Sequence, residues 1–142
     1  MDNRDELRHA YGRLIEAAAA NDADALAAIV DPDIVDHNPV PGQRPGLEGI
    51  TFWMQGMHAA LADLTGVVED TVVEGDKVAG RVTWRGTHEG TLFGLPATGK
   101  QTVVSAMHIV RFSNGLAAEW WGVPDLYGAL TSLGARLELP EV

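Results

Sequence analysis

The spacing of apolar residues changes once along this chain, between Leu64 and Val67, and that change limits what it can fold into. Before it, apolar side chains recur every three or four residues, as on one face of a helix; after it they alternate, as on one face of a strand. Leu7, Tyr11, Leu14, Ile15 and Ala18 predict a helix over residues near 2–20. It runs out at Asn21-Asp22. Asp22 then caps a short second helix over about 23–29, which Pro32 stops. A third helix is predicted over 47–64, with Ile50, Trp53, Met54, Met57, Leu61 and Leu64 along its stripe. Between them, "DPDIVDHNPVPGQRPG" (31–46) holds four prolines and two glycines and predicts a loop beyond a short extended piece at about 34–37.

After the change, "VVEDTVVEGDKVAGRVTWRGTH" reads as a hairpin, with strands near 67–74 and 77–88 joined at Glu74-Gly75-Asp76. A glycine-rich connection over 90–99 leads to a long strand, "KQTVVSAMHIVRF", a turn, "SNG", and a further strand, "LAAEWW". Pro124 opens a last helix that runs to Leu133 and stops at Gly134. Three helices, a meander of about four strands and a short helix make an α+β domain in which the helices gather beside an antiparallel sheet. The 142 residues form one domain, 1–142, and a chain near this length buries about 70% of its extended surface, enough for an internal pocket.

Composition removes several function classes. Hydrophobic residues make up 46% and charged residues 21%, the balance of an ordinary globular protein. No run approaches the roughly eighteen apolar residues of a membrane span. The first residues, Met1 to Glu6, lack the features of a secretory signal, so the expected location is cytoplasmic. The chain has no cysteine, which leaves His, Asp, Glu, Tyr and Ser/Thr to carry any chemistry. A formal charge of −10, from 20 acids and 10 bases, repels phosphate backbones and anionic lipid, so neither nucleic acid nor membrane is an expected partner. The histidines and acids show no HExxH or comparable spacing, and no metal site is expected.

Three stretches, "DHNPVPGQRPGLEGI", "VEGDKVAGRVTWRGTHEGTLFGLPATGK" and "HIVRFSNGLAAEWWGVPDLYGALTSLG", together resemble the SnoaL-like polyketide cyclases, a branch of the nuclear-transport-factor-2 and ketosteroid-isomerase fold group. The likeness runs in order from Asp36 to Gly134. It implies a strongly curved sheet wrapped by the N-terminal helices into a cone, an apolar pocket inside, and a homodimer made through the sheet's outer face. Members of known activity close a ring in an aromatic polyketide by intramolecular aldol condensation, with neither metal nor organic cofactor. Others of the same fold isomerise, hydrate, open epoxides or assist a hydroxylating partner, so the fold alone does not fix the reaction.

The resemblance also locates a gap. In the aldol cyclases an aspartate on the last strand, just before a Trp-Pro-Asp, supplies the general acid/base. Aligning Pro124-Asp125 with that motif puts Gly122 at the aspartate's position, removing a proton carrier and leaving room for substrate or water. Trp120 shares a strand face with Gly122, while Glu119 and Trp121 take the other, and Trp120 stands where a histidine is common in the wider family.

The expected catalytic residues are therefore His108, which matches a pocket histidine of the cyclases, and a pair, His37 and Asp36, reaching in from the mouth. Each also has a structural reading: a core histidine bonded to the backbone for His108, and an Asx turn into Asn38-Pro39 for the pair. His88 matches another family histidine and is expected to bind substrate, with a structural role as the equal alternative; it or bound water would hold a developing oxyanion. Trp84, Trp120 and Trp53 are expected to line the interior as flat surfaces, and Asp125 to bind substrate or, on the simpler reading, to cap the last helix. The expected ligand is a hydrophobic polycyclic or polyene biosynthetic intermediate, turned over by cyclisation or a related isomerisation. Accessory hydroxylation, epoxide opening and non-catalytic binding of an aromatic molecule are the alternatives.

Overall fold

In the computed structural model, which describes residues 3–141, the helix α1 spans Asn3–Ala19 and lays its Leu7, Tyr11, Leu14, Ile15 and Ala18 stripe against the sheet. The predicted start of this helix at residue 2, Met1 of the leader reading and the final Val142 lie outside the described residues. The helix α2 covers Ala23–Ile29, and the Asp22 carboxylate accepts from the Ala25 N–H as its cap. Its C-cap, Val30, opens β1 (Val30–Asp36). The helix α3 (Gly46–Ala60) is followed directly by β2 (Leu61–Glu74), β3 (Lys77–His88), β4 (Gln101–Ser113), β5 (Leu116–Pro124) and α4 (Leu126–Ser132).

The five strands form one curved, open sheet in the order β1-β5-β4-β3-β2. It is mixed rather than purely antiparallel: β1 pairs in parallel with β5, through Val35 opposite Glu119 and Asp36 opposite Trp120. The extended piece in the proline-rich stretch is thus longer than its sequence suggests, because an edge strand tolerates Pro32, which has no N–H to give a ladder. The rest is a meander with tight hairpins; Asn114 and Gly115 at the β4–β5 turn both take positive φ, 53° and 77°, as such a turn needs.

Two boundaries differ from the sequence expectation for identifiable reasons. The third helix ends at Ala60, not near 64, yet Leu61 and Leu64 are both buried. Their spacing of three comes from a bulge in β2, where Asp63 takes a φ of 55° and the register with β3 shifts between Ala62 and Thr65. A bulged strand imitates helical spacing over one turn. At the other end, Pro124 closes β5 instead of opening the helix; Asp125 is the N-cap, its Oδ1 accepting from the Gly128 N–H at 2.9 Å.

Alternation along β3 and β4 sorts the sheet into two faces. Val78, Val82, Trp84, Val104, Ala106, His108 and Val110 turn inward and are buried, while Val103, Met107 and Ile109 turn outward and are exposed. Helices α1 and α3 and the loop after β1 close over the inward face.

Candidate active site

Between the helices and the concave face lies a cavity of about 360 Å³. Leu14 and Ile15 of α1, Trp53 and Met57 of α3, and Trp84 and Val104 of the sheet supply apolar walls. Trp53 and Trp84 meet edge to face, with centroids 6.1 Å apart at 74°. Met54, between the two lining residues Trp53 and Met57, is instead packed into the core.

His108 is the polar group set deepest in this lining. It is 6% exposed, and its Nδ1 lies 2.9 Å from the hydroxyl of Tyr11, which is 0% exposed. Its Nε2 has no hydrogen-bond partner among the described residues. Burial without a compensating charge lowers the imidazole pKa from 6.5 to about 4 and pushes the Tyr11 phenol up, so both are neutral near pH 7. The bond between them has two forms. Either Tyr11 O–H donates to Nδ1 and Nε2–H faces the cavity, or Nδ1–H donates to the phenol oxygen and Nε2 presents a lone pair.

A glycine stands beside His108 on each neighbouring strand: Gly80 on β3 and Gly122 on β5 are its cross-strand partners. Each makes room for one of its aromatic contacts. A Cβ on Gly80 would collide with the ring and hydroxyl of Tyr11. A Cβ on Gly122 would come within 2.6 Å of Trp120 Nε1 and 3.1 Å of His108 Cδ2. The space expected at residue 122 for substrate or water is therefore taken by the Trp120 indole, whose ring centre lies 4.4 Å from that of His108.

The expected pair at the mouth divides. Asp36 lines the cavity, where Oδ1 accepts from the Asn38 N–H and Oδ2 accepts from Gln43 Nε2 at 2.7 Å. Asn38 Oδ1 in turn accepts from the Gly122 N–H, which fastens the loop to β5. His37, the next residue after β1, turns to the opposite face and is not part of the cavity lining. There it lies flat on Trp121, at 4.5 Å and 5°, with Nε2 2.8 Å from Glu119 Oε2. Hydrogen bonds from His37 and then Arg111 hold the Glu119 carboxyl below its usual range.

His88 and Asp125 also sit outside the lining. His88 is wholly buried, and its Nδ1 accepts from the Thr98 N–H at 3.2 Å, pinning the glycine-rich connection. Its Nε2 is buried with no hydrogen-bond partner among the described residues, as is the Thr102 hydroxyl. Asp125 is occupied as the helix cap. Tyr11 is the polar residue that sequence reasoning passed over, counted only as one point of an apolar stripe. The available signal was its hydroxyl, since a buried tyrosine needs a hydrogen-bond partner. Among the described residues, no group of three or more His, Asp or Glu is placed to hold a metal ion, and no helix is long and apolar enough to cross a membrane.

Comparison with known proteins agrees with this fold. The family described as SnoaL-like polyketide cyclase matches residues 8–133. Aklanonic acid methyl ester cyclase DnrD of Streptomyces peucetius is 25% identical over 134 residues, covering 91% of each chain. The solved structure of TsrD from Streptomyces laurentii superposes with a TM-score of 0.87 at 29% identity, covering 96% of this chain and all of that one. Wild-type IdmH from Streptomyces antibioticus, described as a putative polyketide cyclase, gives 0.79 at 31% identity over 91% and 99% of the two chains.

Proposed function

From the premise that this chain belongs to the SnoaL-like polyketide cyclase family, we propose that it is a cofactor-independent cyclase or closely related isomerase acting on a hydrophobic polyketide-type intermediate. One observation carries the reading: a histidine held at Nδ1 by a buried phenol presents an unpartnered Nε2 in an apolar cavity.

In the tautomer with Nδ1–H donating to Tyr11, the Nε2 lone pair takes a proton from a carbon already acidified by flanking carbonyls. Enolate and imidazolium then form side by side, and their opposite charges favour the protonated ring that burial alone disfavours. The enolate carbon attacks a ketone of the same molecule, and Nε2–H returns the proton to the new alkoxide. One C–H and one carbonyl π bond are exchanged for a C–C and an O–H bond, so the product is an isomer of the substrate. Trp53, Trp84 and Trp120 hold the planar substrate in place, and for an intramolecular step positioning alone contributes several kcal/mol. Asp36, already holding two donors, shapes the mouth. In this reading His37, His88 and Asp125 serve the scaffold.

The active form is a homodimer in this reading, because the outward face carries Met107 and Val123, 62% and 67% exposed, beside Val103 and Ile109. Sedimentation of the purified protein checks it. The lack of any side chain at residue 122 favours one alternative, a protein that binds an aromatic molecule without turnover. Deleting the gene in its producer and measuring the accurate mass of what accumulates separates the readings. An isomer of the later product supports cyclisation or isomerisation. A compound one oxygen short indicates accessory hydroxylation, and an unchanged profile at lower yield indicates binding alone.

A further inference from the structure

We infer that Trp120 and Gly122 form one oxygen-recognition element, in which the indole N–H, admitted over the β5 backbone by the missing side chain, donates to the carbonyl or enolate oxygen of a planar ligand lying against His108. The inference rests on the cavity being the substrate site. Four observations support it. The nitrogen edge of the indole lies along the strand above Gly122, so close that a single Cβ there would overlap it. The indole N–H has no acceptor among the described residues, and Trp120 is a half-buried residue of the cavity lining, so the donor is open to a ligand there. His108 lies directly across the strand pair from Gly122, so the N–H and Nε2 address neighbouring points. The carboxylate at the mouth, Asp36, is taken up by Asn38 and Gln43 and does not compete for the donor.

The chemistry differs from that of a carboxylate at the same place. A carboxylate takes protons and repels an enolate, whereas an indole N–H takes none and stabilises negative charge as it develops on oxygen. The element therefore selects ligands by a hydrogen-bond acceptor on a flat ring system and leaves proton transfer to His108.

The test uses two planar probes of nearly one shape, 2-acetylnaphthalene and 2-isopropenylnaphthalene, which differ in carrying C=O or C=CH₂. Their affinities are measured by fluorescence titration for the parent, Trp120→Phe and Gly122→Ala proteins. In Trp120→Phe an aromatic ring, though a smaller one, is kept and the donor lost; in Gly122→Ala the donor is kept but displaced. We expect the ratio of affinities, ketone over alkene, to fall about fivefold to tenfold in both variants, the worth of one hydrogen bond. Equal loss of affinity for both probes would mean that Trp120 only packs, and an unchanged ratio in Gly122→Ala would separate the glycine from the donor; either overturns the inference while the cavity reading stands. A parent protein that binds neither probe would overturn both.

Discussion

His108 and His37 form a matched pair on opposite faces of one sheet. Each rests against a tryptophan of β5, at 4.4 Å from Trp120 and 4.5 Å from Trp121, and each gives one ring nitrogen to a hydrogen-bonded oxygen. What differs is the oxygen and the surroundings. Inside, the partner is a buried phenol and no carboxylate offsets desolvation, so the ring is held neutral with a pKa of about 4. Outside, the partner is a carboxylate, with Arg111 on its other oxygen and solvent around all three. Residue type and ring separation are nearly the same, although the outer pair lies flat at 5° and the inner pair is tilted at 38°; enclosure decides which ring has an unused nitrogen facing a ligand.

Four measurements would break or sharpen this contrast. The largest effect belongs to His108→Ala, which should lower kcat by about 10²-fold or more while preserving ligand affinity, the loss expected for a proton carrier. Equal turnover by parent and variant would remove His108 from the chemistry. Next comes acidity. The folded pKa of His108 lies below its ordinary 6.5, so between about 4 and 6.5 the unfolded chain binds the extra proton and acidification favours unfolding. Stability should fall over that window by something on the order of 3 kcal/mol and level off below it, and His108→Gln should remove that component of the unfolding curves. Over the same window kcat/KM should hold its value, dropping only as pH approaches 4, where an exposed histidine would lose activity already near 6.5.

Tyr11→Phe follows, since it leaves Nδ1 buried with no partner and should cost roughly 1–3 kcal/mol in denaturant unfolding. A larger loss of kcat than of affinity in this variant would mark Tyr11 as orienting the imidazole rather than merely filling space. Smallest is His37→Ala, which removes an exposed hydrogen-bond partner of Glu119, a contact of little expected weight. It should leave turnover unchanged and shift the unfolding midpoint least of the four; a loss of kcat like that of His108→Ala would dissolve the contrast between the faces.

Much of this could be read from residues alone, and the misreadings have physical causes. Alternation fixed β3 to its observed ends and put Trp120 and Gly122 on one face with His108 among apolar neighbours. The same alternation separates Asp36 from His37, but only once β1 is known to pair in parallel with β5, and a parallel edge leaves no mark in local spacing. The Asp63 bulge disguised the start of β2 as helix because two buried leucines three apart satisfy both patterns. Tyr11 and His108 meet across 97 residues of chain, and nothing near either residue announces the other. The filling of the space at residue 122 was invisible for a related reason: alternation gives the face of a side chain, not the rotamer that swings an indole over its neighbour.

The two glycines flanking His108 have a consequence for how such a protein changes over time. A methyl group added at Gly80 presses on the phenol, and one added at Gly122 presses on the indole and on the edge of the imidazole itself, so each alters the setting of His108 without replacing it. Neither position carries a functional group, and an inventory of acids, bases and nucleophiles would pass over both. Drift between one reaction and another on this scaffold has a route that leaves every ionisable residue in place, taken one carbon atom at a time.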